Sequence, residues 1–255
     1  MAVPQYSMHR SPARLGSYLL VILGVSVLIG WGLTLTPLLT VLPGRISMKP
    51  NTAVGFICSG LAVALITRQR ITRASRTWAI LLSSVVISDG LITLIEYASH
   101  RSLGIDELLF RDLVQYPYPG RMAHITAINF CLAGTSVLLL SLSEKRALWA
   151  QLLALFSGLS SLLAIVGYVY GVPSLYGSVR YTSMALHTGV GFLVLATAIL
   201  HCRPENGIMS AVTSRQAGGW LARRLLPAAL VVPVLLGALY IYGRFSLNDV
   251  RLALA

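Results

Sequence analysis

The chain has 255 residues, of which 56% are hydrophobic and only 11% charged, with a mean hydropathy of +0.75. A soluble domain carries about a quarter charged residues, so this composition excludes a water-covered globule and calls for lipid around most of the chain. The 20 basic against 8 acidic residues sit between apolar runs, where they set topology and meet anionic headgroups; no basic helix or aromatic platform argues for nucleic acid.

Residues 1–15 (MAVPQYSMHRSPARL) read as a polar, basic cytoplasmic tail. The apolar run that follows is too long for a signal peptide and lacks an A-x-A cleavage site, so 16–255 reads as one transmembrane domain. A span needs about twenty apolar residues. On that measure the sequence predicts an all-α, polytopic membrane helix bundle with seven full helices, over 16–42, 50–68, 74–99, 122–143, 147–171, 183–202 and 220–243. The apolar Val250–Ala255 reads as the start of an eighth, cut within the helix, with an output domain missing beyond it. Segments 100–121 and 172–182, rich in Tyr, Pro and Gly, read as ordered outer loops, and 207–219 as an interfacial turn. Pro227 and Pro233 each remove a backbone donor and are expected to kink the last span. Cys58, Cys131 and Cys202 lie in or beside apolar runs without metal spacing and read as small buried side chains.

Positive charge orients the bundle. The tail and the links after spans 2, 4 and 6 hold Arg10, Arg14, Arg68, Arg70, Arg73, Arg76, Lys145, Arg146, Arg203, Arg215, Arg223 and Arg224, against Glu144 and Glu205. By the positive-inside rule that side is cytoplasmic, in a bacterial inner membrane, with the N-terminus inside.

Three even-numbered spans begin alike: Met48-x3-Thr52-x3-Phe56-x3-Gly60, Met122-x3-Thr126-x3-Phe130-x3-Gly134 and Met184-x3-Thr188-x3-Phe192-x3-Ala196. Spacing by four aligns these residues on one helix face, and three copies mark an internally repeated unit. Each copy follows a partner helix, so the architecture expected is three pseudo-repeated helix pairs, with Tyr97 and Tyr168 as equivalents in two of them. The small residues suit close helix packing; the Met and Thr ends suit packing and ligand contact equally.

Asp89 and Glu96 are carboxylates inside a predicted span, where charge is expensive and faces the bundle interior. A neutral, hydrogen-bonded Asp89 and a proton, cation or ligand site are both open readings. His100, His124 and His187 cluster at the outer helix ends. If the repeats surround an axis, His187, Glu96, Tyr97, His100, His124, Asn51, Thr52, Thr126, Thr188 and Met184 line one outer chamber, a default pocket. Such a chamber would take a small or lipophilic, quinone-like ligand; His187, His124 and His100 could instead ligate a metal or haem iron. No Walker loop, H-E-x-x-H or G-x-S-x-G occurs, so no catalytic residue is assigned.

Pro50-Asn-Thr-Ala53, Glu96-Tyr97 with Leu103-Gly-Ile-Asp-Glu-Leu-Leu-Phe110, Pro119-Gly-Arg-Met122, Tyr170-Gly-Val-Pro-Ser-Leu-Tyr176, Met184-Ala-Leu-His-Thr188 and Gly218-Gly-x-x-Ala-Arg-Arg-Leu-Leu-Pro227 stand in one order. Over residues 16–255 the chain resembles the multi-pass N-terminal sensory region that precedes PAS, histidine-kinase and some diguanylate-cyclase modules in bacteria. The resemblance implies a sensory input domain, its catalysis in a missing output and a homodimer formed through that output. The rival readings are a small proton- or cation-coupled transporter or channel, and a haem- or metal-binding redox protein.

Overall fold

The computed structural model describes residues 11–41, 46–112, 118–172 and 183–253, and among them all regular structure is helical. The helices are α1 (Ser11–Gly32), α2 (Thr36–Leu39), α3 (Pro50–Ile66), α4 (Arg73–Ser99), α5 (His124–Leu142), α6 (Ala147–Tyr170), α7 (Leu186–Leu200), α8 (Gly207–Thr213) and α9 (Ala217–Ala253), with a 3₁₀ turn at Glu144–Arg146. Local chemistry sets several boundaries. Pro50 begins α3, and the Thr72 hydroxyl caps α4 by accepting from Ser75 N. Gly171, at φ +66°, ends α6 in the left-handed conformation.

α1 packs most extensively on α3, α4 on α5, and α6 on α7. Contacts of α3 with α4, α5 with α6 and α7 with α1 close these pairs into a ring, inside which α3, α5 and α7 meet one another. Phe56, Phe130 and Phe192, all fully buried, form the centre of that inner triangle, with ring centroids 5.3, 4.9 and 4.8 Å apart. Two of the rings rest on glycines: a Cβ on Gly55 would fall 2.5 Å from Phe130 Cζ, and one on Gly191 would fall 2.6 Å from Phe56 Cζ. At the corresponding position α5 carries Asn129, whose amide turns outward between Ser160 and Ser161 of α6.

Five helices are long and apolar enough to cross a membrane, namely α1, α4, α5, α6 with its leading 3₁₀ turn, and α9 through Leu239; α3 and α7 are apolar but shorter. At 17 and 15 residues they reach about 26 and 22 Å, less than the ~30 Å hydrocarbon core. They lie inside the ring, and non-helical backbone is tolerated at depth where protein satisfies it. The extended residues before the inner helices are buried, with Met48, Met122 and Met184 each 1% exposed. An aromatic side chain serves each methionine carbonyl: Trp31 Nε1 donates to Met48 O (2.9 Å), Tyr97 OH to Met122 O (2.8 Å) and Tyr168 OH to Met184 O (2.6 Å). The outward Leu, Ile and Val side chains of α1, α4, α6 and α9 form an apolar belt that suits a membrane protein.

Several boundaries differ from the sequence reading. The first helix starts at Ser11, inside the expected tail, and gives way at Gly32 to a turn and the short α2 rather than running to 42. The segment 207–219 contains α8. The expected seventh span and eighth start are one helix, Ala217–Ala253, that runs unbroken through Pro227 and Pro233. Loop residues 173–182 lie outside the described residues, as do Leu254 and Ala255.

Candidate functional site

The polar residues concentrate at the C-terminal end of α4 and the N-terminal end of α5, beside residues 100–112 and 118–121. Arg121, two residues before the N-cap-to-helix boundary of α5, is 2% exposed. Its Nε donates to Asp106 Oδ2 at 2.7 Å and lies 3.5 Å from Glu96 Oε2, while Nη2 donates to Arg101 O. The guanidinium also lies over Tyr118 and Tyr97, 4.7 and 5.2 Å from their centroids, a desolvated cation–π arrangement. Glu96, fully buried in the last turn of α4, accepts from Leu103 N through Oε1 and so folds the loop back over its own helix. Asp106 is 5% exposed, and burial pushes its carboxyl up to about 6; the Arg121 hydrogen bond pulls it down and the nearby Glu96 charge raises it.

The loop geometry serves this cluster. Gly120 sits at φ +69°, and a Cβ there would fall 2.6 Å from Asp106 O, so the chain can deliver Arg121 to Asp106 only with glycine at that position. Gly120 N donates to Asp112 Oδ2, and the same oxygen ion-pairs with Lys49 at the head of α3. The loop is thereby tied to α3 as well as to α4 and α5. Beside Arg121 a pocket of about 240 Å³ opens outward, walled also by His100, Arg101, Asp106, Glu107 and Tyr118. Arg121 Nη1 is buried with no hydrogen-bond partner among the described residues, while the Asp106 and Glu96 carboxyls lie close enough to share a proton.

Of the predicted site residues, the structure brings Glu96, Tyr97, His100 and His124 to this cluster. His100, the left-handed residue that ends α4, lines the pocket, and His124 meets Tyr97 edge-on at 6.2 Å. Tyr97 both shelters Arg121 and anchors Met122. The other predicted residues lie elsewhere. Thr52, Thr126 and Thr188 are each 2% exposed within the inner triangle, and Met184 packs there with its carbonyl held by Tyr168. Asn51 turns its Oδ1 onto Thr52 N. His187 is 8% exposed, and neither ring nitrogen has a hydrogen-bond partner among the described residues. Asp89, two turns inward from Glu96, stands within electrostatic reach of Cys58 and Cys131. Among the described residues, no three His, Cys, Asp or Glu side chains are placed to share a metal ion.

Sequence reasoning missed Arg121, Asp106 and the Lys49–Asp112 pair. The signal available was the arginine in Pro119-Gly-Arg-Met122, a cation immediately before a buried helix, which a charge tally assigns to topology. Compared with known proteins, the chain matches no family model, no curated protein and no solved structure.

Proposed function

We propose that the chain is the membrane-embedded sensory input domain of a bacterial signal-transduction protein, of the sensor histidine kinase kind. In this reading it sits in the inner membrane with its N-terminus inside, as seven spans of which the first six form three pseudo-repeated helix pairs. The three aromatic-to-methionine hydrogen bonds and the three-ring centre support that pairing. The ligand is a small or lipophilic molecule bound near the outer face, and the helix shift it causes is passed to a homodimeric cytoplasmic output.

The observation that carries the reading is Arg121: a side chain only 2% exposed, flanked by two carboxylates, with one amino group unpartnered beside an open pocket. A ligand offering an acceptor to Nη1 completes it, and an unmade buried hydrogen bond is costly. Arg121 lies directly before Met122 and α5, whose Phe130 interlocks with Phe56 and Phe192. A shift there is felt by all three inner helices. From α6 it reaches α9 through Tyr170, whose hydroxyl donates to Pro233 O and Val234 O. Transmission requires the ligand to prefer one of two packings.

The test uses full-length protein with His100→Asn and Arg101→Gln, exposed rim changes that keep the left-handed residue tolerable, and separately Tyr170→Phe. The rim variant is expected to lose both the co-purifying small molecule, seen by mass spectrometry, and the output response; Tyr170→Phe is expected to keep the molecule and lose the response. A rim variant that signals like the parent protein refutes the site.

A further inference from the structure

The opposite end of the bundle holds a second site. Trp78, Trp149 and Trp220 are 60, 65 and 51% exposed, each close to the start of its helix on the basic side. Exposed indoles settle at the headgroup level, so this end lies among lipid phosphates. Between the C-terminal ends of α3 and α5 is a cleft of about 60 Å³ floored by Arg203, itself 2% exposed. Arg203 Nη1 donates to Ile66 O (3.1 Å) and Cys202 O (2.9 Å), backbone acceptors that the helix ends leave free, and Nε pairs with Glu144 at 3.1 Å. The Glu144 carboxylate is 63% exposed and lies at the rim.

Arg76 lines the same cleft and makes no side-chain hydrogen bond or ion pair among the described residues. Ser143 adds a hydroxyl, while that of Ser141 is turned onto Val137 O. The cleft therefore carries two guanidiniums against one carboxylate, in a space that admits one tetrahedral anion.

We infer that this cleft binds the phosphate of an acidic phospholipid headgroup, with Arg76 as its outer and Arg203 as its inner cation. Guanidinium is the group best matched to phosphate. Net-anionic headgroups are favoured over zwitterionic ones because the exposed surround is cationic: Arg70 and Arg73 on one side, Lys145 and Arg146 on the other. A headgroup ammonium would meet these charges, whereas a headgroup bearing only negative charge is drawn by them. The inference does not depend on the sensory reading, since it concerns the other face.

The test is lipid binding to the detergent-purified full-length protein, followed by native mass spectrometry and thermal unfolding. Phosphatidylglycerol or cardiolipin is expected to saturate at one tightly held lipid per chain and raise the unfolding temperature, with phosphatidylcholine at least tenfold weaker. Arg76→Gln is expected to weaken acidic-lipid binding about tenfold, the scale of one lost charge-assisted hydrogen bond, while Arg70→Gln, a surround charge outside the cleft wall, changes it far less. Equal binding of the zwitterionic lipid, equal losses in the two variants, or full replacement of the lipid effect by millimolar inorganic phosphate would each overturn the assignment.

Discussion

Replacing Gly191 by alanine tests the centre of the inner triangle. The added methyl would stand 2.6 Å from Phe56 Cζ and 3.0 Å from its Cε1 and Cε2. Phe56 has nowhere to retreat, because Phe130 and Phe192 hold it at 5.3 and 4.9 Å. Overpacking of this kind costs about 1–3 kcal/mol, against a helix-propensity gain of ~1 kcal/mol, leaving a net loss of up to about 2 kcal/mol. Gly55→Ala should lose a similar amount, since its methyl would meet Phe130 Cζ at 2.5 Å. Gly218→Ala is the control: nothing lies within 4 Å, so only the propensity gain applies. The readout is unfolding in mixed micelles by a titrated denaturing detergent, followed by far-ultraviolet circular dichroism. Adding Phe56→Leu to Gly191→Ala should recover part of the loss, a coupling that separates ring collision from a general helix defect. The reasoning fails if Gly191→Ala and Gly55→Ala unfold with the parent protein, or if the double variant shows no coupling.

Two further outcomes concern the end of the bundle that holds Arg121. Tyr168→Phe and Tyr97→Phe keep their rings but strand the carbonyls of Met184 and Met122, so each should cost about 0.5–2 kcal/mol in the same titration; parental stability in both would remove the role assigned to the phenols. Asp106, raised from 3.8 to about 6, binds more proton folded than unfolded between those values. Its contribution to stability is therefore full below about pH 4 and is lost as pH rises through 6. Unfolding midpoints from pH 4 to 7 should show that slope in the parent protein and a flatter profile in Asp106→Asn; identical profiles would refute it.

The parts legible in sequence are those governed by periodicity. The M-x3-T-x3-F spacing places Phe56, Phe130 and Phe192 on corresponding faces, and they meet. Tyr97 and Tyr168 match as phenols at equal depth; the third member, Trp31, escapes because an indole replaces the phenol and because hydropathy alone extends the first helix past it. Hydropathy also divides the long α9, because Pro227, Pro233 and the polar Arg244–Asp249 stretch read as interruptions, yet a helix can continue through proline when the lost bond is compensated. The Glu96–Arg121–Asp106 cluster is not legible: it depends on the path of an irregular loop, set by Gly120 and the Asp112 tie, for which no repeat spacing exists. Arg203 is hidden for a related reason. Tallying cations by side of the membrane treats them as interchangeable, and its burial comes from carbonyls contributed by α3 and by its own chain turn.

The aromatic triangle also bears on permeation. With three rings packed against one another on the central line, two pairs edge to face and one tilted, the space between α3, α5 and α7 is occupied at that level. An ion or solute following that line would have to part all three rings at once and give up their mutual dispersion contacts. Any conductance measured for this protein would therefore have to run elsewhere, or accompany a rearrangement large enough to register in the environment of Phe56.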